Sequence, residues 1–279
     1  MGAPYNIHMH LGLVSFWGGD LKWKFAAKRL HNQASLSNVF SVIKIYDRKS
    51  LDKFCNPSVL EFIDNNTKGY GYWIWKAPII LEFIRDNPTI DVVCYLDCGC
   101  EFNFEQPAMA RWNDYLRELE NFDALFFETD CIEREWITSE LNERLQVAEG
   151  ELASNQIGAT AFLMKREFAE KFCLNWFEIM KESNFKFLAS SHDAKNQDPT
   201  FRESRWDQSI LSILGKRSRN ARILRSIDEN FFPGNWSRGL GFPILITRNP
   251  SHVSIFKIGL TWDFVRLTER IISRLFSLK

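Results

Sequence analysis

Apolar runs of strand length alternate with stretches of helical periodicity along most of the chain, the pattern of a sheet with helical crossovers. Ile7 to Trp17 is apolar-rich and ends in Gly18-Gly19-Asp20, which predicts a first strand running into a loop. Lys22 to Ala34 follows as a helix, with Phe25, Ala26 and Leu30 on one side and Lys24, Lys28 and Arg29 on the other. Strand, glycine turn and basic helix make a nucleotide-binding opening, with Arg29 on its basic side. Val39 to Tyr46 alternates as a second strand, Ser50 to Asp52 and Pro57 to Ile63 start helices, and Pro78 to Ile84 continues another with proline in its first turn. A strand from Val92, a helix over Trp112 to Leu119, a strand over Ala124 to Phe127 and a helix capped by Ser139 and ending at Gln146 come next. Asn155 to Met164 reads as polar side chains, then a small-residue turn, then a strand; Phe168 to Met180 is an apolar helix, and a further helix begins near Asp207. The pattern predicts one α/β domain over residues 1–279, in which 216–279 is a C-terminal extension ending in an amphipathic helix from Trp262 to Lys279.

Composition narrows this only in part. With 279 residues, 45% of them apolar and 25% charged, the chain supports one large continuous core. Its 35 basic and 35 acidic side chains balance, so nothing global favours nucleic acid and any phosphate binding must be local. Ten Trp and 24 Phe supply stacking surfaces for rings. Six cysteines without a paired C-x-x-C framework, and no cationic-plus-apolar leader, lead us to expect a reducing, cytoplasmic setting. No apolar run reaches the roughly 18 to 20 residues a bilayer span needs. The amphipathic C-terminal stretch, with Arg266, Arg270 and Arg274 four apart, is a candidate for peripheral membrane contact or for packing on its own domain.

The candidate chemistry gathers around Val92 to Phe102, where an apolar strand delivers Asp97, then Gly99, then Glu101. Three chemistries compete there. Cys94, Cys98 and Cys100 offer zinc ligands but lack a second ligand pair at structural spacing. A haloacid-dehalogenase-type phosphotransferase needs an aspartate where Gly99 stands. A carboxylate bridging a divalent cation to a diphosphate suits the oxygen ligands of Asp97 and Glu101 better. Upstream, Gly69 to Lys76 frames two glycines with aromatics and leads to a helix N-terminus with a lysine beside it, a natural anion site; Tyr72 and Trp73 belong to this frame. Downstream, Asn155 and Gln156 can hydrogen-bond hydroxyls, Asp207 and Gln208 start a helix beside Arg205, and His252 is a possible metal ligand.

Gly-Tyr-Gly-Tyr-Trp-Ile-Trp-Lys-x-Pro-Ile-Ile at 69 to 80, Tyr-Leu-Asp-x-Gly-Cys at 95 to 100 and Trp-Asp-Gln-Ser-Ile at 206 to 210 resemble GT-A-fold glycosyltransferases of capsule, lipopolysaccharide and viral glycan synthesis. The order is also similar to glycogenin-like transferases. The resemblance implies a GT-A-like, Rossmann-like fold with a mixed, mainly parallel central sheet flanked by helices. It implies a UDP- or GDP-sugar donor, a glycan or glycolipid acceptor, and a divalent cation, Mn²⁺ or Mg²⁺, held by Asp97 with Glu101 and His252. Lys76, Tyr72, Trp73, Gly99, Arg29, Asn155, Gln156 and Gly158 would bind the donor, and Asp207 and Gln208 would be catalytic, a pair that leans towards retention. Gly99 departs from the family pattern, in which a second metal-binding aspartate stands there. A nucleotide-sugar-binding protein without activity and a metal-dependent phosphohydrolase are the rival readings.

Overall fold

A computed structural model describes residues 9–189, 196–225 and 241–252. Among these, β1 (Leu11–Phe16), β2 (Val42–Tyr46), β3 (Val92–Leu96), β5 (Ala124–Ile132), β6 (Asn155–Lys165) and β7 (Ala221–Leu224) form a sheet in the order β2-β1-β3-β6-β5-β7. β1 runs parallel to β2 and β3, and β5 runs parallel to β7; β6 runs antiparallel to β3 and to β5, so it is the one reversed strand of a mainly parallel sheet. Every residue of β1 and β3 is buried, as expected of central strands covered on both faces.

Side-chain alternation along β3 divides the core into two layers. Val93 and Tyr95 join a cluster containing Phe83, Trp176 and Ile210, whereas Val92, Cys94 and Leu96 join one containing Leu30, Trp112 and Leu119. The first layer is supplied by α5 (Lys76–Asp86), α9 (Arg166–Ala189) and α10 (Asp207–Arg217), the second by α1 (Leu21–Ser37) and α6 (Ala108–Asn121). Short helices α2 (Arg48–Leu51), α3 (Pro57–Asn65), α4 (Gly69–Tyr72), α7 (Ser139–Leu145) and α8 (Glu149–Leu152) complete the connections. The expected α/β architecture with a mainly parallel sheet is therefore present.

Three local expectations change. The cap of α7 is Thr138, whose hydroxyl accepts from Leu141 N, and not Ser139, which is already helical. Residues 155–165 form one uninterrupted strand with no turn; Gly158 is small because a Cβ there would stand 3.2 Å from Thr129 on β5. Residues 69–75 do not extend α5 backwards: Tyr70, Tyr72 and Trp73 have φ of 54°, 50° and 61°, and the helix begins only at Lys76. Of the segment expected as an extension, β7 joins the main sheet and β8 (Ile244–Leu245) pairs antiparallel with β4 (Glu101–Phe102), strapping the chain just beyond Asp97. The predicted helix over 262–279 and residues 190–195 lie outside the described residues. No described helix is long and apolar enough to cross a membrane.

Candidate active site

The carboxyl ends of β1 and β3 and the first residues of α5 and α10 face one cavity of about 510 Å³. Open α/β sheets hold ligands at this edge. Gly18, Gly19 and Asp20 enter from the end of β1, Asp97 to Cys100 from the end of β3, Lys76 from α5, and Asp207 and Gln208 from α10; Trp17, Trp23, Trp73, Trp75 and Trp206 supply much of the wall.

Lys76 is the centre of the floor. Its Nζ lies 3.0 Å from Asp207 Oδ2 and 3.6 Å from Asp97 Oδ1, and donates to the Ala159 carbonyl at 2.8 Å. Burial works against the ammonium, but the Asp207 and Asp97 carboxylates outweigh it and hold its pKa above the ordinary lysine value. Burial pushes the Asp207 carboxyl up to about 7 against the pull of Lys76. The two shifts oppose each other, one keeping the lysine charged and the other protonating its partner. Two carboxylates share the one ammonium, so the lysine's charge is secure and the more deeply buried acid, Asp207, is the one at the edge of protonation. Although Oδ2 of Asp207 is within 3.0 Å of the ammonium, it lies off the hydrogen-bonding direction and is buried without a hydrogen-bond partner. Asp97 is better served, because Tyr95 donates its hydroxyl to Oδ1 at 2.5 Å.

Gln208 is held from behind. Its Oε1 accepts from Ala159 N at 3.3 Å and its Nε2 donates to Gln156 Oε1 at 2.8 Å. Gln156 in turn donates to Glu133 Oε1 at 2.7 Å, and the fully buried Glu133 also accepts from Ser212 and from Lys216 at 2.8 Å. Gln156 is thus a buried support for Gln208 and does not line the cavity, where it was expected. Asn155 pairs with Glu128 across the sheet, and Gly158 packs on Thr129; neither lines the cavity. Tyr72 stacks against Trp206 behind the wall at 5.8 Å.

Arg29 is likewise structural. Its guanidinium is buried and donates to the carbonyls of Cys100 and Asn249 at 2.9 Å, tying the β3 turn to the strap. The expected cation ligands do not assemble. Glu101 is buried and accepts from Gln33 and Asn249 at 3.3 and 3.1 Å, and His252 is exposed with its ring 6.0 Å from that of Phe25. Among the described residues no three His, Cys, Asp or Glu side chains converge to hold a metal. Zinc is no better served, because burial pushes the Cys98 thiol up to about 12 and the Cys100 thiol well above its ordinary value.

The structure therefore brings together Trp73, Lys76, Asp97, Gly99, Asp207 and Gln208, and separates from them Tyr72, Arg29, Glu101, Asn155, Gln156, Gly158 and His252. It adds Arg248, Thr160, Trp17 and Trp23, whose positions carry no motif of their own. Trp206, immediately before Asp207, has φ of 47°, and the two rings against it, stacked Tyr72 and tilted Trp73, have φ of 50° and 61°. Left-handed backbone at bulky residues is costly and clusters at functional sites.

No family model matches the chain. Two curated proteins, both named Protein hook, from Drosophila erecta and Drosophila simulans, are 29% identical over 158 residues, covering 56% of this chain and 20% of each relative. The chain therefore spans about a fifth of the length of the curated relatives it matches. A crystal structure of a glycosyltransferase involved in glycosylation of the major capsid of PBCV-1 superposes with a TM-score of 0.47 at 10% identity, over 85% of this chain and 91% of that one.

Proposed function

We propose that the chain is a glycosyltransferase that moves a sugar from a UDP- or GDP-sugar to a hydroxyl of a glycan or glycolipid. The observation that carries this reading is the buried Asp207 at a tryptophan-walled cavity, its carboxyl pushed up to about 7 by burial and ion-paired with a lysine that it shares with Asp97.

In the transfer, the bond from the anomeric carbon to the diphosphate oxygen breaks and its electron pair stays on that oxygen. The acceptor oxygen forms the new bond to carbon, and its proton passes to the ionised Asp207 carboxylate. A carboxyl tuned to about 7 is matched to general-base work at neutral pH. This favours inversion over the retaining lean of the Asp207-Gln208 pair. Gln208, locked by Gln156 and Ala159 N, orients the sugar or acceptor, and the Trp rings give it a stacking surface.

Thermal unfolding in the presence of UDP, GDP, TDP and CMP tests the donor class. At least one nucleotide is expected to raise the melting temperature, by mass action on the folded state. A flat response to all of them contradicts the proposal. Binding with no turnover of any nucleotide sugar would favour an inactive binding protein, and phosphate release from simple esters would favour a phosphohydrolase.

A further inference from the structure

The residues expected to hold a cation are engaged elsewhere, while two guanidinium groups at the cavity have no acidic partner among the described residues. Asp97 already answers to Tyr95 at 2.5 Å and Lys76 at 3.6 Å. The position of a second carboxylate is Gly99, where a Cβ would stand 3.2 Å from the Arg248 Cα and 3.2 Å from Trp23. The carbonyl of Gly99 is also spent, accepting from Thr247 Oγ1 at 3.0 Å and Asn249 N at 3.1 Å. The strap that follows β8, together with Trp23, thus crowds the place of a side chain at 99. It also brings Arg248 to the cavity, exposed and with φ of 49°.

Arg205 faces the same cavity from the α10 side. Its guanidinium carbon lies 4.0 Å over the Trp136 ring, which fixes the plane of the fork, and its Nε is buried without a partner. Among the described residues neither Arg205 nor Arg248 makes an ion pair with a carboxylate. Lys76 does not compete for this task, because two carboxylates and a carbonyl occupy its ammonium.

We infer that the diphosphate of the donor is held by the guanidinium groups of Arg205 and Arg248, with no divalent cation bridging it to Asp97. Planar guanidinium forks match phosphate oxygens in pairs and keep their charge at any working pH. When the bond to the anomeric carbon breaks, the electron pair left on the phosphate oxygen adds one negative charge, and these side chains neutralise it. The inference rests on the proposed donor class and names what binds its charged half.

Isothermal titration of the full chain with UDP and with GDP, in EDTA and again in Mn²⁺, tests it alongside Arg205→Met, Arg205→Lys and Arg248→Asn. Asparagine tolerates the left-handed backbone at 248, and the lysine variant keeps the charge on Trp136 while losing the fork. One of the two nucleotides is expected to bind with the same affinity in both buffers. Arg205→Met and Arg248→Asn should each weaken it about tenfold or more, and Arg205→Lys should fall between Arg205→Met and the unaltered chain. Binding that appears only with Mn²⁺ would overturn the inference and leave the donor class standing, as would full affinity in both arginine-neutralised variants. Absence of binding in either buffer would overturn the inference and the donor class together.

Discussion

Lys76 stands between two carboxylates with its side chain buried, and this position makes it the residue on which the site's stability turns. Lys76→Met leaves Asp207 buried with no counter-charge, which should cost about 3–5 kcal/mol in urea unfolding; adding Asp207→Asn to it should recover much of that loss. The pH dependence has a definite sign. Folding raises the Asp207 pKa from 3.8 to about 7, so this group contributes stability that is complete below about pH 4 and lost as pH rises to about 7. The stability of the unaltered chain relative to Asp207→Asn should therefore fall across that window, as read by urea midpoints at successive pH values. A constant difference would show that Asp207 titrates at its ordinary value. At this scale the sequence was informative where a charged residue ends a strand or starts a helix, as with Asp97, Lys76 and Asp207. It was uninformative about direction. Glu101 and Arg29 lie near Asp97 in space, yet one turns to Gln33 and Asn249 and the other to backbone carbonyls, contacts made by chain segments up to 220 residues apart.

The stretch from Gly69 to Trp75 is the element that shapes the cavity wall. Gly71 has φ of 84°, and a Cβ on it would meet the Ile63 Cα at 2.8 Å, so Gly71→Ala strains both the turn and its packing on α3. A loss of about 1–3 kcal/mol is expected, measurable by thermal or urea unfolding; a neutral substitution would show that this turn relaxes freely. The glycines announced a tight turn, but not that Tyr70, Tyr72 and Trp73 would share its left-handed backbone. In β6, by contrast, Gly158, Ala159 and Ala161 suggested a turn where a straight strand runs. Their small size serves packing instead, since Gly158 accommodates Thr129, and the buried carbonyl of Ala159 meets Lys76. Small residues carry the same local signal whether a chain bends or is closely approached, and only the neighbouring strand decides which.

Across the whole molecule, the alternation of strands and helices fixed the α/β class, because fully apolar runs such as Val92–Leu96 belong to strands buried on both faces. The reversal of β6 left no mark in the pattern, since a strand covered on both faces reads alike in either direction. Nor did the strap β8, two residues long, which brings Arg248 to the cavity and closes the place of the missing second aspartate. The assembled edge, with Asp97, Lys76, Asp207 and Gln208 around one cavity of about 510 Å³, is what supports the proposal of sugar transfer. The most direct measurement is release of nucleoside diphosphate from a panel of UDP-, GDP- and TDP-sugars, with water as the acceptor, by the unaltered chain and by Asp207→Asn at a pH where both are folded. Slow release from at least one donor, lowered about a hundredfold or more in the variant, is the expected result; no release from any donor, or equal release by both proteins, would contradict the assignment of this cavity to glycosyl transfer.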